Sequence, residues 1–284
     1  MIRKKSQEAS PVRLNERQKA RLWLAVSILF LAGVAVAGYF CREAALVTDF
    51  SRKNIAPCFQ YPFGTDWLGR NMFYRTLTGL SMSILIGICA AGVSAVMALL
   101  LGVSAAVFGK KVDAVISFFI DTVMGIPHIL LLILISYAMG KGLKGVVVGV
   151  ALTHWCSLAR LIRGEVLALK QREYIQIAGK LGQSRLKIAR KHMLPHLLPQ
   201  FLVGLVLLFP HAILHESSVT FLGFGLSSAQ PAIGVILSES MTYLIMGKWW
   251  LAVFPGVMLV LTVVLFDLGG SCLKRLLDPN SVHQ

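Results

Sequence analysis

Residues 76–109 read TLTGLSMSILIGICAAGVSAVMALLLGVSAAVFG, a stretch without a single charged side chain. A helix needs about 20 mostly apolar residues to cross a hydrocarbon core about 30 Å thick, because each residue advances it by about 1.5 Å. A helix on the surface of a soluble domain would instead carry a polar face at helical spacing. This stretch is apolar on all sides, so it predicts a tilted transmembrane helix over residues 81–108.

Five further runs of the chain have the same character, although Asp or Glu interrupts three of them. In chain order they are residues 22–41, 112–139, 143–158, 197–220 and 249–273. Together with the first stretch they predict an all-α integral membrane protein with six transmembrane helices.

The composition of the whole chain agrees with this class. Of its 284 residues 56% are hydrophobic and 14% charged, whereas an ordinary soluble domain has about 25% charged residues. The 28 Lys and Arg residues outnumber the 13 Asp and Glu residues, for a formal net charge of +15. These values exclude a disordered chain and a typical cytosolic enzyme. They also argue against a nucleic-acid partner, which would need a basic polar face, and favour the lipid bilayer as environment.

The first apolar run, 22–41, has two interpretations. Basic residues precede it and Ala35-Val36-Ala37 is similar to a signal-peptidase site. The polar segment before the run is long, however, and the run itself is at the upper limit for a signal peptide. We therefore expect an uncleaved membrane anchor.

The distribution of basic residues predicts the orientation in the membrane. Most of them fall in four segments, 1–21, 110–111, 160–191 and 274–275. With six transmembrane helices, these four segments lie on the same side of the membrane. Because cytoplasmic segments carry the excess of Lys and Arg, both termini are predicted to be cytoplasmic.

The cytoplasmic loop 160–199 is too long for a plain connection between two helices. Apolar residues recur in it at roughly helical spacing, and Gly182 interrupts the pattern. Pro195 and Pro199 close the loop before the next span. The pattern predicts two short helices joined at Gly182 at the inner membrane surface, although an ordinary amphipathic surface helix has the same periodicity.

Part of this loop resembles the "EAA" loop of the permease subunits of ABC importers. Residues 173–182 read EYIQIAGKLG, and Leu-Pro follows at 194–195. Gln176 and Ile177 replace the Glu and first Ala of that motif, which removes any charge contact made by the Glu. In the family this loop forms a coupling helix that docks on the ATPase subunit. The resemblance implies coupling roles for Glu173, Gln176, Ala178, Gly182, Leu194 and Pro195.

Further motifs resemble the second, C-type permease of dipeptide, oligopeptide and nickel importers. They are FGTDWLGRN at 63–71, FLGFG at 221–225, the segment 249–256 and LDP at 277–279. Each motif alone is weak, but this order over nearly the whole chain beyond the first span is specific.

The resemblance implies a type I ABC importer permease fold in the inner membrane of a bacterium. We expect a cytoplasmic segment (1–21), a first helix (22–41), an external segment (42–80), a five-helix core (81–276) with its loop 160–199, and a cytoplasmic tail (277–284). The implied partners are a second homologous permease, two ABC ATPase subunits and an external or periplasmic substrate-binding protein. This chain needs no cofactor of its own; ATP and Mg belong to the ATPase subunits.

Three segments are similar to the nickel branch: 153–163, 169–173 and 211–215. His211 and His215 lie four residues apart on one helical face, and neutral imidazole is a good ligand for nickel-like ions. They are the predicted metal ligands, in a permease for nickel or a chelated metal. Peptide import is the alternative function. His211 could also have a structural role, in which it pairs with a backbone group that Pro210 leaves free.

Ionisable or ligating side chains inside spans usually face a cavity or a partner, because charge in the membrane is costly. The predicted substrate-pathway residues are Asp121, His128, His154 and Glu216. Asp267 is expected to have a structural role near Lys274.

Several other functions are disfavoured. The chain lacks the Gly-x-x-x-x-Gly-Lys-Ser/Thr phosphate loop, so we expect no ATP hydrolysis in it, and it has no catalytic constellation of a membrane enzyme. An ion-coupled secondary transporter remains the alternative from another class, but its usual cue, an internal repeat, is not evident. Cys41 and Cys58 are candidates for a disulfide in an oxidising external compartment.

Overall fold

A computed structural model describes residues 15–277, and this range is helical apart from loops and one isolated β-bridge between Thr65 and Asn71. The helices are α1 Glu16–Phe40, α2 Met72–Val107, α3 Lys110–Gly125, α4 His128–Ala138, α5 Gly142–Lys170, α6 Glu173–Lys180, α7 Arg185–Ile188, α8 Leu194–Phe221, α9 Ile233–Leu244 and α10 Trp250–Leu277. A 3₁₀ turn, Phe50–Arg52, and a π-helical turn, Ala189–Met193, complete them.

Five of these segments are long and apolar enough to cross a membrane: α1, α2, α5, the stretch from α7 to α8, and α10. A sixth span results if α3 and α4 are counted as one broken helix. The all-helical class agrees with the sequence, and the predicted number of six spans is reached when α3 and α4 are counted as one span. Residues 278–279 of the predicted LDP motif, the rest of the predicted tail and most of the predicted N-terminal segment lie outside the described residues.

The central contact of the bundle is between α2 and α5, and small residues make it close. Ala91, Ala95 and Ala98 of α2 are fully buried. A Cβ atom on Gly102 would lie 2.7 Å from the carbonyl oxygen of Ala159 on α5. Small side chains let two membrane helices pack backbone against backbone, so the Ala- and Gly-rich sequence of α2 explains this contact.

The sequence pattern predicted one span over the run 112–139. In the structure this run forms two helices that meet at a sharp bend. α3 and α4 meet at an angle of 99° across the break at residues 126–127. Ile126 has extended backbone angles (φ −90°, ψ 138°), because the residue before a proline is pushed out of the helical region. Pro127 also has no N–H to continue the helix. Gly125 and Pro127, rather than Asp113 and Asp121, interrupt this span.

The loop predicted at 160–199 is shorter in the structure, because α5 continues to Lys170 and α8 begins at Leu194. Arg160 and Arg163 do not end the helix, since each pairs with an acid on α3. Arg160 contacts Asp121 at 2.6 Å, and Arg163 contacts Asp113 at 2.7 Å. We call the remaining residues, 171–193, the coupling segment.

The segment between α1 and α2, which was predicted to be external and is called the external segment below, is held to the bundle by a buried charge network. Asp66 is fully buried and accepts hydrogen bonds from Arg70 Nε at 2.6 Å and Arg75 Nη1 at 2.7 Å. Arg75 also donates to Glu239 of α9 at 3.0 Å. Trp67 stacks on Tyr243 of α9 with ring centroids 4.6 Å apart. The network thus joins the external segment to α2 and α9.

Two smaller features remain, the open question of a disulfide between Cys41 and Cys58 and the expected structural role of Asp267. Cys41 and Cys58 are both free, and Cys58 is exposed, so the candidate disulfide is not formed. Asp267 is exposed on α10 and makes no ion pair with Lys274, because its side chain lies on the outer surface of the described bundle.

Candidate functional site

A cavity of about 590 Å³ lies where the α3–α4 break meets α5 and α8. None of its lining residues is Asp, Glu, Lys or Arg. The polar side chains in its wall are those of Thr153, Ser157, His128, His154, His211 and His215. Because it collects histidines from three parts of the sequence, this cavity is the candidate substrate site.

Local structure explains how each histidine reaches the cavity. His128 is the first residue of α4, so the sharp bend at Pro127 sets it in the cavity wall. His154 lies in the middle of α5 and is buried. His211 and His215 follow each other by one turn on α8 and share a face. Without the break at Pro127, the chain would not bring His128 to this position.

Three of the four histidines form a cluster. The ring centroids of His128, His154 and His215 lie 4.4–5.1 Å from one another. One ring nitrogen of each lies within 4.8 Å of those of the other two. The structure therefore groups two predicted pathway residues with one predicted metal ligand. His211, the other predicted metal ligand, lines the same cavity but lies outside the cluster, one turn away from His215 on α8.

The two predicted acidic pathway residues lie elsewhere. Asp121 is exposed on α3 and pairs with Arg160. Glu216 is fully buried and does not line the cavity. It follows His215 directly and so faces a different side of α8, where it accepts hydrogen bonds from Thr220 at 3.0 Å and Ser217 at 3.2 Å.

The coupling segment forms two short helices, as its sequence predicted. α6 ends next to Gly182, whose φ of +80° lies in the left-handed region that favours glycine. Ser184 then caps α7 by accepting a hydrogen bond from the backbone N–H of Lys187. The glycine turn and the serine cap together make the reversal between α6 and α7.

The two faces of α6 have different surroundings. Ala178 and Ile175 are buried against the chain's own core. Tyr174, Ile177 and Leu181 are exposed, Leu181 by 76%. The small side chain of Ala178 therefore serves packing within this chain, whereas the apolar surface open to a partner includes Ile177.

The remaining predicted coupling residues lie at the ends of the same segment. Glu173 is exposed at the start of α6, and Gln176 donates a hydrogen bond from its side chain to the carbonyl oxygen of Gln171 at 3.2 Å. Leu194 and Pro195 are exposed in the first turn of α8. Glu173 and Gln176 thus lie within the coupling segment, and Leu194 and Pro195 follow it directly.

These observations define a class, a multi-pass membrane protein with a substrate-sized cavity and a separate helical segment outside the spans. Comparison with known proteins identifies the family. Residues 98–282 match the family described as "Binding-protein-dependent transport system inner membrane component". The chain belongs to this family of ABC importer permeases, and it is a transport component rather than an enzyme.

Two similar proteins are permeases of Bacillus subtilis (strain 168). The "Dipeptide transport system permease protein DppC" is 33% identical over 253 residues, covering 89% of this chain and 79% of the relative. The "Oligopeptide transport system permease protein OppC" is 29% identical over 268 residues, covering 94% of this chain and 88% of the relative. Family membership also excludes the ion-coupled secondary transporter as a class.

A solved chain of the MetNI methionine ABC transporter has a similar fold. Its TM-score is 0.61 at 19% sequence identity, and the match covers 73% of this chain and 98% of that one. The likeness shows that the helices are arranged as in an ABC importer permease.

Proposed function

We propose that this chain is one of two permease subunits of an ATP-driven peptide importer. The observation that carries the proposal is the similarity over most of the chain to permeases named for dipeptide and oligopeptide transport. These relatives favour the peptide alternative over the nickel branch to which three sequence segments pointed. Import of nickel or a chelated metal is the second candidate, because a histidine cluster lines the cavity.

The cavity supports a role in carrying a small molecule. Pockets for small ligands have volumes of about 300–1,000 Å³, and this one has about 590 Å³. It adjoins the α3–α4 break, where non-helical backbone at membrane depth is tolerated because it lines a cavity. In a permease pair the second subunit would supply the opposite wall of the pathway.

The coupling segment is the proposed docking site for the ATPase subunits. Its exposed apolar side chains Tyr174, Ile177 and Leu181 lie beside basic ones such as Lys180 and Lys187. Apolar side chains on a short helix fit the helix-in-groove mode of recognition. The excess of basic residues in the coupling segment also favours its placement on the cytoplasmic side, with both termini.

Coupling then follows from the connectivity. α5 runs without interruption from the cavity, at His154, to the start of the coupling segment, at Lys170. Movement of the ATPase subunits, which bind ATP and Mg, would displace α6 and hence α5 and α8. Such a displacement would open the cavity alternately to the two sides of the membrane. A substrate-binding protein would deliver the cargo from outside.

The proposal is tested with the chain assembled with its second permease and ATPase subunits in vesicles. We expect uptake of a labelled dipeptide that requires the binding protein and ATP hydrolysis. Uptake that continues when ATP hydrolysis is blocked would overturn the importer mechanism. ATP-dependent uptake of Ni²⁺ without any uptake of peptides would instead favour the second candidate.

A further inference from the structure

We propose that His128, His154 and His215 bind a divalent transition-metal ion, such as Ni²⁺, Cu²⁺ or Zn²⁺, that is part of the transported cargo. The inference rests on the proposed import function and narrows its substrate to a metal complex of a small anionic chelator, such as a metal-loaded peptide. We call these three side chains the histidine triad.

The arrangement of the donors is the first argument. α4, α5 and α8 each contribute one imidazole, so the triad is a tripod rather than a run of neighbours along one helix. Metal–imidazole bonds of about 2.1 Å put the donors of a tetrahedral site about 3.4 Å apart. The nitrogens of the triad lie within 4.8 Å of one another. Small rotations of the rings would close this difference, and a ligand of the cargo would take the fourth position.

The hydrogen bonds of His154 present one nitrogen to a metal. Its Nδ1 lies 3.0 Å from the carbonyl oxygen of Val150. A carbonyl oxygen only accepts hydrogen bonds, so this contact assigns the proton to Nδ1 and leaves the lone pair on Nε2. Histidines that bind metals commonly donate their other ring nitrogen to a backbone carbonyl in this way.

The free nitrogens are the second, independent argument. Nε2 of His128 and Nε2 of His154 are both buried, and neither has a hydrogen-bond partner among the described residues. Buried polar atoms are nearly always paired, so two unpaired ring nitrogens on residues that line one cavity require an explanation. A bound cation satisfies both at once.

The absence of acidic side chains from the lining of this cavity indicates the form of the cargo. A bare divalent cation in a cavity lined by neutral side chains would keep its full charge, which is costly away from water. A chelator that brings its own negative charge removes this cost. Three neutral imidazoles also bind less tightly than a site with thiolates or carboxylates, and a permease must release what it carries. The volume of about 590 Å³ leaves room for a small chelator.

Binding is tested first on the purified full-length chain in detergent. Equilibrium dialysis with ⁶³Ni²⁺ should show one ion per chain, and Co²⁺ should give the visible absorption of a site with nitrogen ligands. His154→Ala and His128→Asn should each weaken Ni²⁺ binding by more than about tenfold. The matched control is His196→Ala, since His196 is exposed in the first turn of α8 and does not line this cavity. Size-exclusion chromatography checks that each variant remains folded. Equal Ni²⁺ binding by His154→Ala, His128→Asn and His196→Ala would overturn the proposal.

Transport assays identify which form of the cargo the triad recognises: the free ion, a metal complex or the peptide alone. The assembled importer in vesicles is offered Ni²⁺ alone, Ni²⁺ with glycylglycylhistidine, Ni²⁺ with citrate, and the metal-free peptide. We expect uptake of at least one complex to fall more than about tenfold in His154→Ala, whereas His196→Ala leaves it unchanged. If the metal-free peptide is carried equally well and its uptake falls equally, the triad binds peptide and the metal proposal fails. If nothing is carried although the chain binds Ni²⁺, the import function fails and the site stands.

Discussion

The buried network around Asp66 gives the most direct test of how the external segment is held. The change is Asp66→Asn, which keeps Oδ1 as acceptor for the backbone N–H groups of Leu68 and Arg70, both at 2.9 Å. It replaces Oδ2 with an NH₂ group that faces Arg70 Nε and Arg75 Nη1, at 2.6 and 2.7 Å in the native chain. Two attractive contacts therefore become repulsive, and Arg75 keeps Glu239 as its acidic partner.

The magnitude follows from burial. Asp66 is fully buried and the side chain of Arg75 is 4% exposed, so solvent compensates for little of the loss. Removing one partner of such a pair costs about 3–5 kcal/mol. At about 2 °C per kcal/mol for a chain of this size, the midpoint of thermal unfolding should fall by roughly 6–10 °C.

The assay is thermal unfolding of the purified chain in detergent, followed by the loss of monodisperse protein. Asp49→Asn is the matched control in the same external segment. Asp49 pairs with Arg52 at 2.9 Å, but both side chains are largely exposed, and such pairs contribute little. We expect no resolved shift for the control. A shift for Asp66→Asn as small as that of Asp49→Asn would refute the claim that this network holds the segment.

Three further changes test other parts of the molecule. Gly102→Leu should prevent stable folding, because its Cβ would lie 2.7 Å from the carbonyl oxygen of Ala159. The control Gly92→Leu should fold, because a Cβ at position 92 would meet nothing within 4 Å; the monodispersity of the purified chain measures both outcomes. Ile177→Asp should abolish co-purification of the ATPase subunits while unfolding stays unchanged, because Ile177 is 55% exposed on α6. Glu216→Gln should leave the unfolding midpoint within about 2 °C of wild type, because the remaining carbonyl oxygen still accepts from a hydroxyl.

The spans and the coupling segment were predictable because their causes are local. An uncharged run such as 76–109 has few alternatives to a membrane helix, and Gly182 and Ser184 specify the reversal between α6 and α7 by their own backbone and capping preferences. The break at Pro127 was equally local, since proline both lacks an N–H and restricts the residue before it. The acidic residues of that run lie within α3 and do not break the helix, whereas its proline does.

The cavity was not predictable in the same way. His128, His154 and His215 lie far apart in the sequence, and no periodicity relates them. Helical spacing connects residues on one helix, so it selected His211 and His215 and missed partners on other helices. The burial of Ala178 within this chain was not predictable for a related reason, because its size suggests close packing but does not tell on which side the packing occurs. Both features depend on how α4, α5, α6 and α8 pack.

The continuity of α5 is the physical basis of the proposed coupling, and Gly164 allows it to be tested. This residue lies on the exposed face of α5 between His154 and Lys170, and a Cβ placed on it would meet nothing within 4 Å. Gly164→Ala should therefore fit and stabilise the helix by about 0.8–1.0 kcal/mol. Gly164→Pro removes a hydrogen bond of the helix and collides with the carbonyl group of Arg160, which kinks or breaks the helix at a cost of about 3 kcal/mol or more.

If α5 acts as a rigid connection, the two variants should differ in coupling rather than in assembly. In vesicles, the complex with Gly164→Pro should still hydrolyse ATP but lose most of its substrate uptake per ATP, because movement of α6 is absorbed at the kink. The Gly164→Ala complex should keep the wild-type ratio of uptake to hydrolysis. Both complexes are first shown to contain the ATPase subunits. A wild-type ratio in the proline variant would mean that the signal reaches the cavity without α5, which leaves α8 as the helix joining the coupling segment to His215.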